Sequence, residues 1–98
     1  MRVLYAVFEK ELSMDSTPEV KHYTYSYDEA YDIAAPDEKI RKVITDDRLT
    51  IWYEDDLYCV IDDTFGCYDF YTFETADELL EAFDLNEDDI DFNDIWYN

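Results

Sequence analysis

Glycine, proline, histidine, cysteine and positive charge are all scarce in this chain of 98 residues. One glycine and two prolines leave no room for a flexible linker, and no internal repeat is visible, so residues 1–98 are expected to form a single domain around one core. Cys59 and Cys67 are too few for a disulfide framework and lack the second ligand pair that zinc would need. They read as small core side chains of a reduced, cytoplasmic protein. The one histidine, His22, belongs to no Ser–His–Asp order, and a lone glycine, Gly66, excludes a phosphate-cradling loop or a dinucleotide fingerprint. Apolar runs are only a few residues long, far below the ~20 of a spanning helix, and residues 1–11 carry no secretory signal. Seven Lys and Arg stand against 27 Asp and Glu. Direct nucleic-acid binding needs the opposite balance, and an anionic membrane would repel such a chain.

What is present is apolar and acidic at once. Hydrophobic residues make up 48% of the chain and aromatics 18%, more than a disordered acidic tail carries, so the chain has the means to offset the entropy of ordering. The formal net charge is −20, and it is lopsided. Residues 1–44 carry six basic and nine acidic groups, whereas 45–98 carry Arg48 and eighteen acids, a balance of −17. From residue 49 onward there is no Lys, Arg or His at all. Self-repulsion of this kind destabilises a compact state, so the charge points to a purpose outside the molecule: a partner of opposite sign.

Residues 2–8 (RVLYAVF) are rich in β-branched and aromatic side chains and predict a buried strand, followed by a polar connection over 9–18. Residues 20–27 (VKHYTYSY) alternate with period two and predict a second strand. Ser26 and Glu29 have the spacing of a capping box, which starts a short helix running to about Ala34. Pro36 suits the first turn of a further helix through Ile44, with Ile40, Val43 and Ile44 as its apolar stripe. Residues 49–54, 57–61 and 67–73 predict three more strands, joined by Glu54-Asp55-Asp56 and by 62–66, with Gly66 where a hairpin needs positive φ. Thr75 and Glu78 form a second capping box for a helix to about Leu85, with Ala76, Leu79, Leu80 and Phe83 inward. Ile90, Phe92, Ile95 and Trp96 anchor the acidic tail. The expected fold class is α+β: an antiparallel sheet of about four or five strands packed with two or three short helices.

Catalysis finds little support, and no catalytic residue, metal site or cofactor is expected. Carboxylate pairs are too numerous for any one to be singled out as an acid–base couple. Asp84, Asn86 and Asp88 occupy the first, third and fifth places of a calcium-loop series, but Asp89 stands where glycine belongs and Ile95 where a bidentate glutamate belongs.

The spacing of the acids has a second meaning. Carboxylates at i and i+2 on a strand are about 6.6–6.8 Å apart, and those at i and i+4 on a helix about 6 Å. Both are close to the roughly 6–7 Å between phosphates along one strand of DNA, whose duplex carries a charge every ~1.7 Å of axis. Twenty phosphates span ~34 Å of duplex, and a compact domain of this length is ~30 Å across.

In its size, its −17 half and the clusters Glu54-Asp55-Asp56, Asp62-Asp63 and Glu87-Asp88-Asp89, the chain resembles the small, acidic, phage-type inhibitors that mimic DNA, among them anti-restriction and anti-CRISPR proteins. The resemblance is one of composition, covers the latter half and rests on no family-specific motif. It implies a stoichiometric inhibitor occupying the basic nucleic-acid groove of a Cas nuclease or restriction enzyme, in the host cytosol if phage-encoded. The acids expected to meet that partner are Glu54, Asp55, Asp56, Asp62, Asp63, Asp69, Glu74, Asp77, Glu78, Glu81, Glu87, Asp88, Asp89, Asp91 and Asp94. An immunity-type inhibitor of a toxin nuclease, or an acidic module for another basic protein, is the alternative. Adaptation to high salt fits less well with so large an aromatic load. The oligomeric state is left open, a homo-oligomer included.

Overall fold

The computed structural model describes residues 2–9, 18–46, 48–64 and 67–95, apart from the side chains of Cys67, Tyr68 and Asp94. Six strands form one antiparallel sheet: β1 (Arg2–Phe8), β2 (Val20–Thr24), β3 (Lys39–Thr45), β4 (Leu49–Glu54), β5 (Leu57–Thr64) and β6 (Cys67–Phe73). Their order across the sheet is β2-β1-β3-β4-β5-β6. Helix α1 (Tyr27–Ile33) follows β2, helix α2 (Ala76–Ala82) follows β6, and two 3₁₀ turns, Glu87–Asp89 and Phe92–Asp94, follow α2. The class is α+β, with one strand more than expected.

That extra strand is β3, where a helix was expected over 36–44. KIRKVIT carries apolar residues at i, i+3 and i+4, the helical spacing, but four of its seven residues are β-branched, which favours a strand. The need to bridge β1 and β4 decides for the strand. Val43 pairs with Leu4 and Ile44 with Val3 on one side, while Ile44 pairs with Ile51 on the other. Pro36 belongs to a turn closed by the Glu38 amide donating to the Ala35 carbonyl at 3.0 Å, the position where proline's fixed φ suits a β-turn as well as a helix start.

Both capping boxes are formed at their hydroxyl end. Ser26 Oγ accepts from the Glu29 amide and Thr75 Oγ1 from the Glu78 amide, each at 3.2 Å. The second strand therefore stops at Thr24, short of the expected Tyr27, because Ser26 turns the chain into α1. Asp62, Asp63 and Thr64, expected in a connection, continue β5. The β4–β5 hairpin closes through Asp55 (φ 54°) and Asp56 (φ 63°), the left-handed pair that a two-residue turn matched to strand twist requires. Gly66, the glycine expected to serve such a turn, lies outside the described residues, as do Trp96 and most of the 9–18 connection.

The sheet buries both faces, and the two differ. On one, Ile44, Leu49, Ile51, Tyr58 and Val60 pack with Leu79 of α2 and with Ile90 and Ile95 of the tail. Helix α1 lies on this same face: Tyr27 touches Tyr5, which alternation places beside Val3, the cross-strand partner of Ile44. On the other face Leu4, Ala6, Phe8, Val43, Trp52, Cys59 and Ile61 form a cluster built from strands alone. Trp52 is 2% exposed there, between Phe8 at 4.6 Å and Phe70 at 6.0 Å between ring centroids. Burial of each large side chain contributes about 1.5–3 kcal/mol. The sheet ends in β2 and β6, and on β6 the rings of Phe70 and Tyr71 are partly exposed.

Candidate functional site

Charge divides between these two faces more sharply than between the two halves of the chain. Alternation from Trp52 puts Glu54 on the helix-free face, with Arg41 and Lys39 of β3 on the same side. Glu54 Oε1 accepts from Arg41 Nη2 at 2.7 Å and from Lys39 Nζ at 3.3 Å, while Oε2 faces the Trp52 indole N–H at 3.4 Å. Burial pushes the Glu54 carboxyl upward, but the two cations outweigh it and hold the group below the usual carboxylate range. Lys21 is taken up by Glu38 at 2.8 Å, and Arg48 Nε stands 3.7 Å from Asp62 Oδ1. These four cations thus neutralise acids of the fold itself, whereas Lys42, the cross-strand partner of Tyr5, lies on the helical face.

The helical face carries the acids of α2 and the tail. Asp77, Glu78 and Glu81 are exposed on α2, and Glu87, Asp88, Asp89 and Asp91 are exposed on the tail that Ile90 and Ile95 pin to the same side of the sheet. The tail bends are fixed locally, with Asn86 Oδ1 accepting from the Asp88 amide and Asp91 Oδ1 from the Asn93 amide. In the calcium-loop series, Asn86 is thus a cap and Ile95 is buried core.

Four acids that were not among those expected to meet a partner join this face: Asp28, Glu29 and Asp32 on α1, and Asp84 (φ 52°) at the end of α2. The α1 acids had a signal, a capping box followed by a second acid at i+4. Averaging over residues 1–44 hid it, because Lys39 and Arg41 lie close in sequence yet on the opposite face.

The other expected residues are dispersed. Asp55 and Asp56 sit exposed at the β4–β5 turn, and Glu74 is near the same end, since Phe73 pairs with Tyr58. Asp62 and Asp69 are direct cross-strand partners at the other end. Like charges so placed cost about 0.2–1 kcal/mol, and Thr64 Oγ1, which donates to Asp62, helps Arg48 offset it. Asp63 is exposed but lies on the helix-free face, and the Asp94 side chain is outside the described set. Glu54 differs from the others in its setting: its side chain is 22% exposed and already paired with Arg41 and Lys39 within the fold.

The helix-free face holds a cavity of about 330 Å³ lined by Arg2, Leu4, Tyr23, Thr50, Ile61 and Asp63 among others. Its hydroxyls bond one another, Tyr23 to Thr50 at 2.7 Å and Thr50 to Thr45 at 3.3 Å, and its lining includes no histidine or cysteine. Cys59 is buried, and desolvation, followed by the charges of Glu54 and Asp55, pushes its thiol up to about 12, which leaves negligible thiolate at neutral pH. Among the described residues no three His, Cys, Asp or Glu side chains are grouped to hold a metal ion, and no helix is long and apolar enough to cross a membrane.

No protein-family model matches the chain, and no curated protein or solved structure matches it at significance.

Proposed function

We propose that the protein is a stoichiometric inhibitor that mimics DNA, its acidic surface occupying the basic nucleic-acid groove of a bacterial defence nuclease, either a CRISPR-Cas effector or a restriction enzyme. The observation that carries this reading is the exposed acidic layer of α1, α2 and the tail, laid over the sheet while Glu54 gathers Arg41 and Lys39 on the far side. Asp28 with Asp32 and Asp77 with Glu81 are i, i+4 pairs, about 6 Å apart along their helices, a phosphate-like interval. The longest dimension of the protein is 36 Å, close to the ~34 Å over which a duplex presents twenty phosphates. Action is by occupancy, with no bond made or broken, in the cytosol where the nuclease works.

The test is competition. The protein is used to capture its target from a lysate of bacteria bearing such systems, with elution by salt, and the target is then titrated with duplex DNA. Protein and DNA should exclude each other, with association fast and strongly slowed by salt. Asp77→Lys together with Glu81→Lys should weaken inhibition by about tenfold or more, while Asp63→Lys, on the opposite face, should leave it nearly unchanged. A stable ternary complex of protein, target and DNA would rule the reading out.

A further inference from the structure

The helical face carries rings as well as carboxylates. Tyr27 and Tyr31 are one helical turn apart on α1, stacked at 6.3 Å between centroids with 28° between their planes. Tyr27 is anchored edge-on against Tyr5 of the sheet at 6.0 Å, and Ala30, fully buried, lets the helix settle close to the strands. The column ends in solvent, with Tyr27 51% and Tyr31 68% exposed. Packing against Tyr5 accounts for one ring. It does not account for the second, whose one ring contact among the described residues is with the first.

The rings have acids on the adjoining side of the helix. Asp28 lies three residues before Tyr31, the spacing at which helix side chains are neighbours, Asp32 continues the carboxylates one turn on from Asp28, and the last turn of α1 carries no basic residue. A flat cation could lie over a phenol face while donating to the adjacent carboxylate. Guanidinium fits this better than ammonium: it is planar, weakly hydrated, stacks on aromatic faces and donates through a fixed fork.

We infer that the outer face of α1, through Tyr27, Tyr31, Asp28 and Asp32, is a surface for arginine side chains on a basic protein partner. This rests on the acidic helical face being the docking surface, and it names the partner's chemistry there. Ring and carboxylate stand to an arginine as base and phosphate of a nucleotide do, and arginine is the residue that nucleic-acid-binding proteins most use for both.

The experiment compares fluorescent poly-arginine and poly-lysine peptides of equal length, titrated with the intact protein at low ionic strength. The expected result is tighter binding of the arginine peptide, by about 2–5-fold for each ring engaged, with a change in tyrosine absorbance that the lysine peptide does not produce. Tyr31→Leu should reduce that preference, Tyr31→Phe should keep it, and Asp28→Asn with Asp32→Asn should weaken both peptides. Circular dichroism checks that each variant is folded. Equal binding of the two peptides, or a preference unmoved by Tyr31→Leu, overturns the inference and leaves the acidic docking surface standing. Failure of both peptides to bind overturns the two together.

Discussion

Glu54 and Glu19 are both glutamates of one very acidic chain, and their neighbours set them to opposite ends. Glu54 sits beside Arg41 and Lys39, so its carboxyl is held low against the opposing pull of burial. Glu19 lies beside Glu9, which raises it through a shared hydrogen bond and through repulsion. A lowered carboxyl contributes stability above its unfolded pKa, and that contribution fades as pH falls through the folded value. A raised one works in reverse, favouring the fold as pH drops. Glu54→Gln should therefore destabilise the protein at neutral pH by about 1–2 kcal/mol, allowing for partial exposure of the pair. Urea titrations at pH 7 and at successively lower pH should show the gap between variant and parent closing on the acid side. A gap that persists in acid would mean Glu54 acts by packing and not by charge.

At the level of elements, the β4–β5 turn makes the sharpest demand on residue type. Two consecutive aspartates with positive φ are unusual, and glycine at the second place is the common solution. Asp56→Gly should stabilise by about 0.5–1 kcal/mol, because it relieves a left-handed side-chain residue and removes one repelling charge. A thermal scan measures this, and a lower melting temperature would show that the Asp56 side chain holds the turn together. Much of the rest was legible in the residues themselves. Ser26 and Thr75 announced both helices through the carboxylates three positions on, and the apolar periodicity of 76–85 placed Asp77, Glu78 and Glu81 on the outside of α2. The β3 strand was not legible, since Ile40, Val43 and Ile44 have helical spacing, and only pairing with β1 and β4 makes Val43 and Ile44 core on opposite faces of a sheet. The role of Glu54 was hidden for a related reason. Its cations are 13 and 15 residues away and come alongside it only once β3 is a strand.

For the whole molecule, a charge of −20 gathered within extents of 36 × 28 × 27 Å is a standing strain on the fold. Between ~0.01 M and ~1 M salt the Debye length drops from ~30 Å to ~3 Å, so the melting temperature should rise over that range. A flat profile would mean that internal ion pairs already balance the charge. The same repulsion has a consequence for how copies of the protein behave toward each other. β6 ends the sheet with seven strand residues, no lysine, proline or bulge, and partly exposed Phe70 and Tyr71. Such an edge is a template for another strand, and at neutral pH mutual repulsion keeps a second copy away from it. Near the isoelectric point of about 4.1 that protection lapses. Concentrated samples incubated there should form fibrils that bind thioflavin T, starting from this edge, while samples at pH 7 stay clear; Phe70→Lys should delay their onset. A carrier of so much negative charge would then be kept soluble by the very groups that acid titrates, and storage in mildly acidic buffer would be its route to amyloid.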